Sequence, residues 1–313
     1  MVSEQGLRLL EQQIRFCTTS DNVRIAYATV GKGPPLVRAA GWLTHLHFDL
    51  DGLVWRHWTR ELSRFHQYVR YDERGSGLSD WEVNDFSFNA WVRDLETVTD
   101  SVGLEKFALL GIGQGVAVSI AYAVRHPERI SRLILYGGYA KGWNRRSLPR
   151  EELEEMEARV TLMKKGWGKD NPSARMLAAA WMPEATLETI QEFSELQRVS
   201  TSPENAIRFV IEFGNIDVYD LLPKVSVPTL ILHNRDDPID SLELGRELAK
   251  FIPNSRFVPL EGKDFTLPEG STGWKKFLRE VRSFLGVEEA ESEPLAGIRG
   301  MGLKGWLRGP KTK

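Results

Sequence analysis

Short apolar runs open the chain and give way, further along, to apolar residues at helical spacing. Between residues 14 and 39 three such runs, at 14–18, 24–30 and 35–39, are separated by the turn residues Ser20-Asp21-Asn22 and Gly31-Lys32-Gly33-Pro34-Pro35, and read as strands. The period then changes. Val54, Trp55, Trp58 and Leu62 fit a helix, residues 67–71 a strand, and Trp91, Leu95, Val98 and Val102 another helix. The exchange continues with strands at 107–111, 130–136, 229–234 and 256–259, and helices after Gly115, over 242–251 and over 274–285. Strands alternating with helices predict an α/β fold: a mostly parallel, twisted sheet flanked by helices.

Residues 141–217 break this rhythm. They offer no convincing strand, but Leu153, Met156, Val160 and Met163 recur at helical spacing, and Ser202-Pro203-Glu204 is a helix start. The segment reads as a helical lid inserted between two strands of a core formed by 12–140 and 218–286. Such an insertion sits over the sheet's C-terminal edge, where ligands of open α/β folds bind. The remaining residues, 287–313, begin acidic and end with Gly297, Gly300, Gly302 and Gly305 among Arg299, Lys304, Arg308 and Lys311, the pattern of a flexible, basic-ended tail. Leu303, Trp306 and Leu307 beside those cations also suit a membrane or partner contact, but a solvated tail is the simpler reading.

Composition narrows the function classes. With 313 residues, 42% hydrophobic and 27% charged, the chain can bury a large single core. A net charge of -2 and a pI near 6.4 give no electrostatic case for nucleic acid. A single cysteine, Cys17, rules out an intrachain disulfide and any paired-cysteine zinc site, which suits a reducing compartment. Residues 1–13 are charged throughout and lack a signal peptide's apolar core, and no run approaches the ~18 apolar residues of a membrane span. The expectation is a cytoplasmic protein with no cofactor and no metal; a homodimer is left open.

The chemistry-bearing motif is Gly111-Ile112-Gly113-Gln114-Gly115, which joins a predicted strand to a predicted helix. That is the setting of the G-x-S-x-G nucleophile elbow, whose outer glycines allow a strained turn and close helix approach. The middle position should carry the nucleophile, yet Gly113 has no side chain and can form no covalent intermediate. A dinucleotide-binding turn is the competing reading of G-x-G. Its third glycine would fall where the chain has Val116, and the turn follows the fifth predicted strand rather than the first.

The segments Gln13-Ile14-Arg15-Phe16-Cys17, Trp42-Leu43-Thr44-His45-Leu46, Val54-Trp55-Arg56-His57-Trp58, Tyr71-Asp72-Glu73-Arg74-Gly75-Ser76-Gly77-Leu78-Ser79-Asp80 and His126-Pro127-Glu128-Arg129 make the chain resemble, over about residues 12–286, the α/β-hydrolase superfamily. The resemblance is to the bacterial branch found alone or fused to adenylate/guanylate cyclase or regulatory domains. It implies an elbow serine where Gly113 stands. It implies an acid at Asp237, within Leu232-His233-Asn234-Arg235-Asp236-Asp237-Pro238-Ile239, and a histidine where Phe265 stands, within Pro259-Leu260-Glu261-Gly262-Lys263-Asp264-Phe265. Asp237 also reads as a turn aspartate before a proline. An oxyanion hole is implied at the backbone N–H of Gln114 and in the loop Gly41-Trp42-Leu43-Thr44, so Gly41, Trp42 and Gln114 are candidate ligand-binding residues. His45, just beyond that loop, is a candidate substitute base. Ser76, His126 and His233 read as structural.

Loss of both nucleophile and base points to a non-hydrolytic protein that binds a small apolar or carbonyl-containing ligand, a pseudoenzyme with a degenerate triad. Two alternatives stand beside it. One is a divergent lyase, isomerase or cyclase using the oxyanion hole with Asp237 or His45; the other is a hydrolase with a displaced nucleophile.

Overall fold

A computed structural model of the protein describes residues 12–41 and 43–287. Trp42 and nearly all of the tail read at 287–313 lie outside the described residues. The eight predicted strands are found as β1 (Gln13–Thr18), β2 (Arg24–Val30), β3 (Pro35–Arg38), β4 (Gln67–Tyr71), β5 (Phe107–Ile112), β6 (Ile130–Tyr136), β7 (Thr229–Asn234) and β8 (Ser255–Leu260). They form one sheet in the order β1-β2-β4-β3-β5-β6-β7-β8. The pairings β1–β2 and β2–β4 are antiparallel and the rest parallel.

Every residue of β5 and β7 is buried. Helices cover both faces of the parallel region, so these strands read as continuous apolar runs rather than as alternation. The covering helices are α1 (Arg56–Leu62), α2 (Phe88–Val102), α3 (Gly115–Arg125), α8 (Leu242–Phe251) and α9 (Thr272–Leu285). Their ends follow local chemistry. Ser87 and Ser271 accept the N–H of Ala90 and Trp274 at the starts of α2 and α9, and Gly103 and Gly286 close them in the left-handed conformation.

Between β6 and β7 the chain forms four further helices, α4 (Arg150–Gly166), α5 (Pro172–Trp181), α6 (Leu187–Ser200) and α7 (Pro203–Asn215). Asn171 and Ser202, each followed by proline at the first helical position, cap α5 and α7, and Thr186 caps α6. The two ends of this insertion meet in an antiparallel bridge between Lys141 and Asp217. Buried polar bonds tie it to the core. Phe265 N–H donates to Trp181 O (3.1 Å), Glu184 N–H to Asp264 Oδ1 (2.9 Å), Thr201 Oγ1 to Gly75 O (2.6 Å) and Asn205 Nδ2 to Trp81 O (2.9 Å).

The turn at Gly75 is itself held by Arg74. This fully buried guanidinium donates to both carboxylate oxygens of Asp94 (2.7 and 2.9 Å) and to Asp21 (2.7 Å). No helix among the described residues is long and apolar enough to cross a membrane.

Candidate functional site

The turns after β5, β6, β7 and β8 all point to the same edge of the sheet, the carboxyl ends of the parallel strands. Their side chains and those of α4–α7 enclose a cavity of about 150 Å³. Gly113 and Gln114 reach it from the β5 turn, Tyr139, Trp143 and Arg146 from the segment after β6, Ile239 and Asp240 from after β7, and Phe265 from after β8. The insertion adds an apolar wall that includes Met156, Met163, Trp167, Trp181, Phe193 and Phe213. The polar side chains on the lining are Gln114, Gln197, Arg146, Arg159 and Asp240, besides the Tyr139 hydroxyl and the indole N–H groups.

The β5 turn is sharp. Gly113 has φ +58°, its N–H donates to Tyr136 O (3.0 Å), and α3 begins two residues later. The Phe265 ring packs against it: a Cβ added at Gly113 would lie 3.3 Å from Phe265 Cζ. On the other side the same ring meets Gly137, also at φ +58°, where an added Cβ would come within 2.9 Å of Phe265 Cε2. Phe265 stacks on Tyr136, whose hydroxyl donates to the Phe265 carbonyl (2.7 Å). The ring is thus wedged between two glycine turns and held by its own main chain.

Asp237 lies beside this group but does not line the cavity. Its Oδ1 accepts the N–H groups of Ile239 (2.9 Å) and Asp240 (3.0 Å), the turn geometry read from the sequence. Its Oδ2 is buried without a hydrogen-bond partner, and burial pushes the carboxyl up to about 6. Asp240 does line the cavity, and burial, then the charge of Asp237, push it to about 6 as well.

Two candidates from the sequence fall elsewhere. His45 is absent from the cavity lining: its Nδ1 accepts the Phe48 N–H (3.1 Å) within a local turn, and burial holds its pKa below the ordinary value. Gly41 opens onto a separate, water-sized cavity of about 10 Å³ beside the buried Arg70–Asp49 pair. Gln114 is at the cavity, its Nε2 donating to Glu73 Oε1 (3.3 Å); burial, then the charge of Asp94, raise Glu73 to about 8. His126 bonds Glu96 and His233 bonds the Asp240 carbonyl.

Sequence reasoning missed Gly137, Arg146, Arg159, Gln197 and Asp240. Only the glycine pair after β6 carried a local signal, since glycine at a strand end marks close approach.

The model of the alpha/beta hydrolase fold family matches residues 34–271. The chain belongs to this family. A non-heme chloroperoxidase of Kitasatospora aureofaciens is 26% identical over 86% of this chain and 98% of its own length. A putative carbamate hydrolase of Azorhizobium caulinodans is 27% identical over 75% and 85%. Among solved structures, an esterase from Exiguobacterium antarcticum superposes with a TM-score of 0.73 at 22% identity, covering 88% of this chain and all of the esterase. These likenesses fix the α/β-hydrolase fold. Among the described residues no group of three or more His, Cys, Asp or Glu is arranged to hold a metal ion.

Proposed function

We propose that this α/β-hydrolase-fold protein is a non-hydrolytic binder of small molecules, a pseudoenzyme whose cavity beneath a helical lid holds a small apolar or carbonyl-containing ligand. The observation that carries this is the Phe265 ring packed on the side-chain-less Gly113, at the turn where the family resemblance calls for a serine with a histidine beside it. Glycine offers no atom to attack a carbonyl, and phenylalanine no atom to take a proton. The third position of the implied triad, Asp237, keeps one carboxylate oxygen without a partner, as expected of an acid whose imidazole is gone. Removal of a triad serine or histidine costs roughly 10⁶ in turnover. The largely apolar lining suits retention of a ligand, and the single cysteine fits a cytoplasmic setting.

One observation favours a second reading, proton-transfer chemistry of the lyase or isomerase kind. A carboxyl raised to about 6 is a better base at neutral pH than an ordinary aspartate. Against it, Asp237 does not reach the cavity wall.

The test is hydrolysis of p-nitrophenyl butyrate by the wild type and by the double variant Gly113→Ser/Phe265→His. The expected result is a wild type roughly 10⁶ below a triad esterase, with turnover recovered in the double variant. Wild-type turnover within the ordinary enzyme range of about 1–10³ s⁻¹ overturns the proposal.

A further inference from the structure

Most of the cavity wall is hydrocarbon, but one end is not. Arg146, from the segment after β6, and Arg159, from α4, both line the cavity and both act on Asp240. Neither guanidinium is well satisfied there. The approach of Arg146 Nη2 to Asp240 Oδ1 is 3.8 Å, beyond hydrogen-bond length, and Arg146 Nε is buried without a partner. Among the described residues Arg159 makes long contacts, 3.5 Å to the Pro238 carbonyl and 4.0 Å to Glu155. Both side chains are mostly withdrawn from solvent, at 20% and 26% exposure. An arginine presents five N–H donors in a planar fork matched to a carboxylate, and leaving such donors unmet in a recess costs far more than on the surface. The carboxylates nearby do not meet this demand: Asp240 is at ion-pair distance from Arg146 only, and Asp237, behind it, is turned to its own backbone N–H groups.

We infer that the cavity selects an organic monocarboxylate with a compact aromatic or hydrocarbon body, its carboxylate held in the fork of Arg146 with Arg159 beside it. This rests on the ligand-binding reading above and supplies the ligand class. The body lies against Met163, Trp181, Phe193 and Phe213, and the methionines adapt to its shape. The carboxylate provides acceptors that the protein's own neighbouring groups do not offer the two guanidiniums at hydrogen-bond length.

The discriminating pair is 2-naphthoate and its neutral analogue 2-naphthamide, titrated calorimetrically into the full chain at about pH 5, where the probe is ionised while the neighbouring Asp237 and Asp240 carboxyls, each pushed up to about 6, are mostly neutral. The expected result is binding of 2-naphthoate at least tenfold tighter than 2-naphthamide. Arg146→Gln should abolish the preference, weakening 2-naphthoate at least tenfold and 2-naphthamide by less. Arg159→Gln should reduce it. A thermal melt checks that each variant is folded, and Arg146→Lys, which keeps the charge and loses the fork, serves if Arg146→Gln is not. Equal affinities in the wild type, tighter 2-naphthamide, or no binding of either probe overturns the inference. Equal affinities leave the non-hydrolytic binder standing and remove only the ligand class. Ester turnover at enzyme rates, by contrast, removes the function proposed above and leaves a naphthoate preference to be read independently.

Discussion

Asp237→Asn should make the protein more stable at pH 8. The carboxyl of Asp237 is pushed from its ordinary 3.8 up to about 6 chiefly by burial, with two backbone N–H groups on Oδ1 pulling the other way and no hydrogen-bond partner on Oδ2. The folded state therefore binds this proton more tightly than the unfolded chain does. For a group shifted in that direction, its stabilising share is complete below 3.8 and is lost as the pH rises toward and through 6. The shift of about two units corresponds to about 3 kcal/mol of lost stability at pH 8 and roughly half of that at pH 5. Asparagine keeps an oxygen for the N–H groups of Ile239 and Asp240 and carries no charge to bury. Weaker, neutral hydrogen bonds return part of the gain, which leaves about 1–2 kcal/mol.

Urea unfolding of the wild type and Asp237→Asn at pH 8 and pH 5 reads this directly. The variant's advantage should be larger at pH 8. Equal differences at the two pH values, or a variant destabilised by about 1 kcal/mol at pH 8, would refute the reasoning. The same measurement in a Phe265→His background connects stability to the proposed function. An imidazole partner for Oδ2 should remove the advantage of asparagine, and the coupling is the expected signature of a vacated triad position.

Two further outcomes follow from contacts around the site. Gly137→Ala should cost about 1–3 kcal/mol in urea unfolding, because its Cβ would come within 2.9 Å of the Phe265 ring at φ +58°, and truncating that ring with Phe265→Ala should make the alanine cheaper. Asp94→Ala should cost about 3 kcal/mol by the same assay, since it takes from the wholly buried Arg74 guanidinium its one fully buried carboxylate and leaves it the partly exposed Asp21, loosening the turn on which Thr201 and Asn205 dock; Asp94→Asn should lose less.

The strands were legible because their apolar runs are short and punctuated, and their ends shift by at most a residue. The break at 141–217 was legible as helical, and Ser202-Pro203 as the start of α7, because the cap and the first-turn proline act locally. α5 and α6 went unassigned although Asn171-Pro172 and Thr186 carry comparable signals. Gly113, Asp237 and Phe265 could be picked out because they sit in motifs that a family resemblance makes readable. Arg146, Arg159 and Asp240 have no such mark. They are separated by 13 and 81 residues, and only the docking of α4 against the segment after β7 makes them one group. His45 misled because a motif places a residue along the chain, whereas its ring direction is set by the Phe48 N–H it accepts.

The wedge of Phe265 between Gly113 and Gly137 bears on how, on the proposed reading, a hydrolase fold would keep its cavity without its chemistry. Serine at position 113 would set its Cβ 3.3 Å from Phe265 Cζ, so the ring would have to give by a few tenths of an ångström, and on the proposed reading the residue at the base position crowds the nucleophile position. On that reading histidine at position 265 alone would leave no hydroxyl to deprotonate. Neither single substitution supplies both a nucleophile and a base, and Gly137 accommodates the ring from the other side, so the three positions pack as one unit. The polar bonds between insertion and core, including Phe265 N–H to the Trp181 carbonyl, do not depend on the triad atoms. On the proposed reading such a cavity serves binding without hydrolysis, and its specificity resides in polar groups of its lining, Arg146, Arg159 and Asp240.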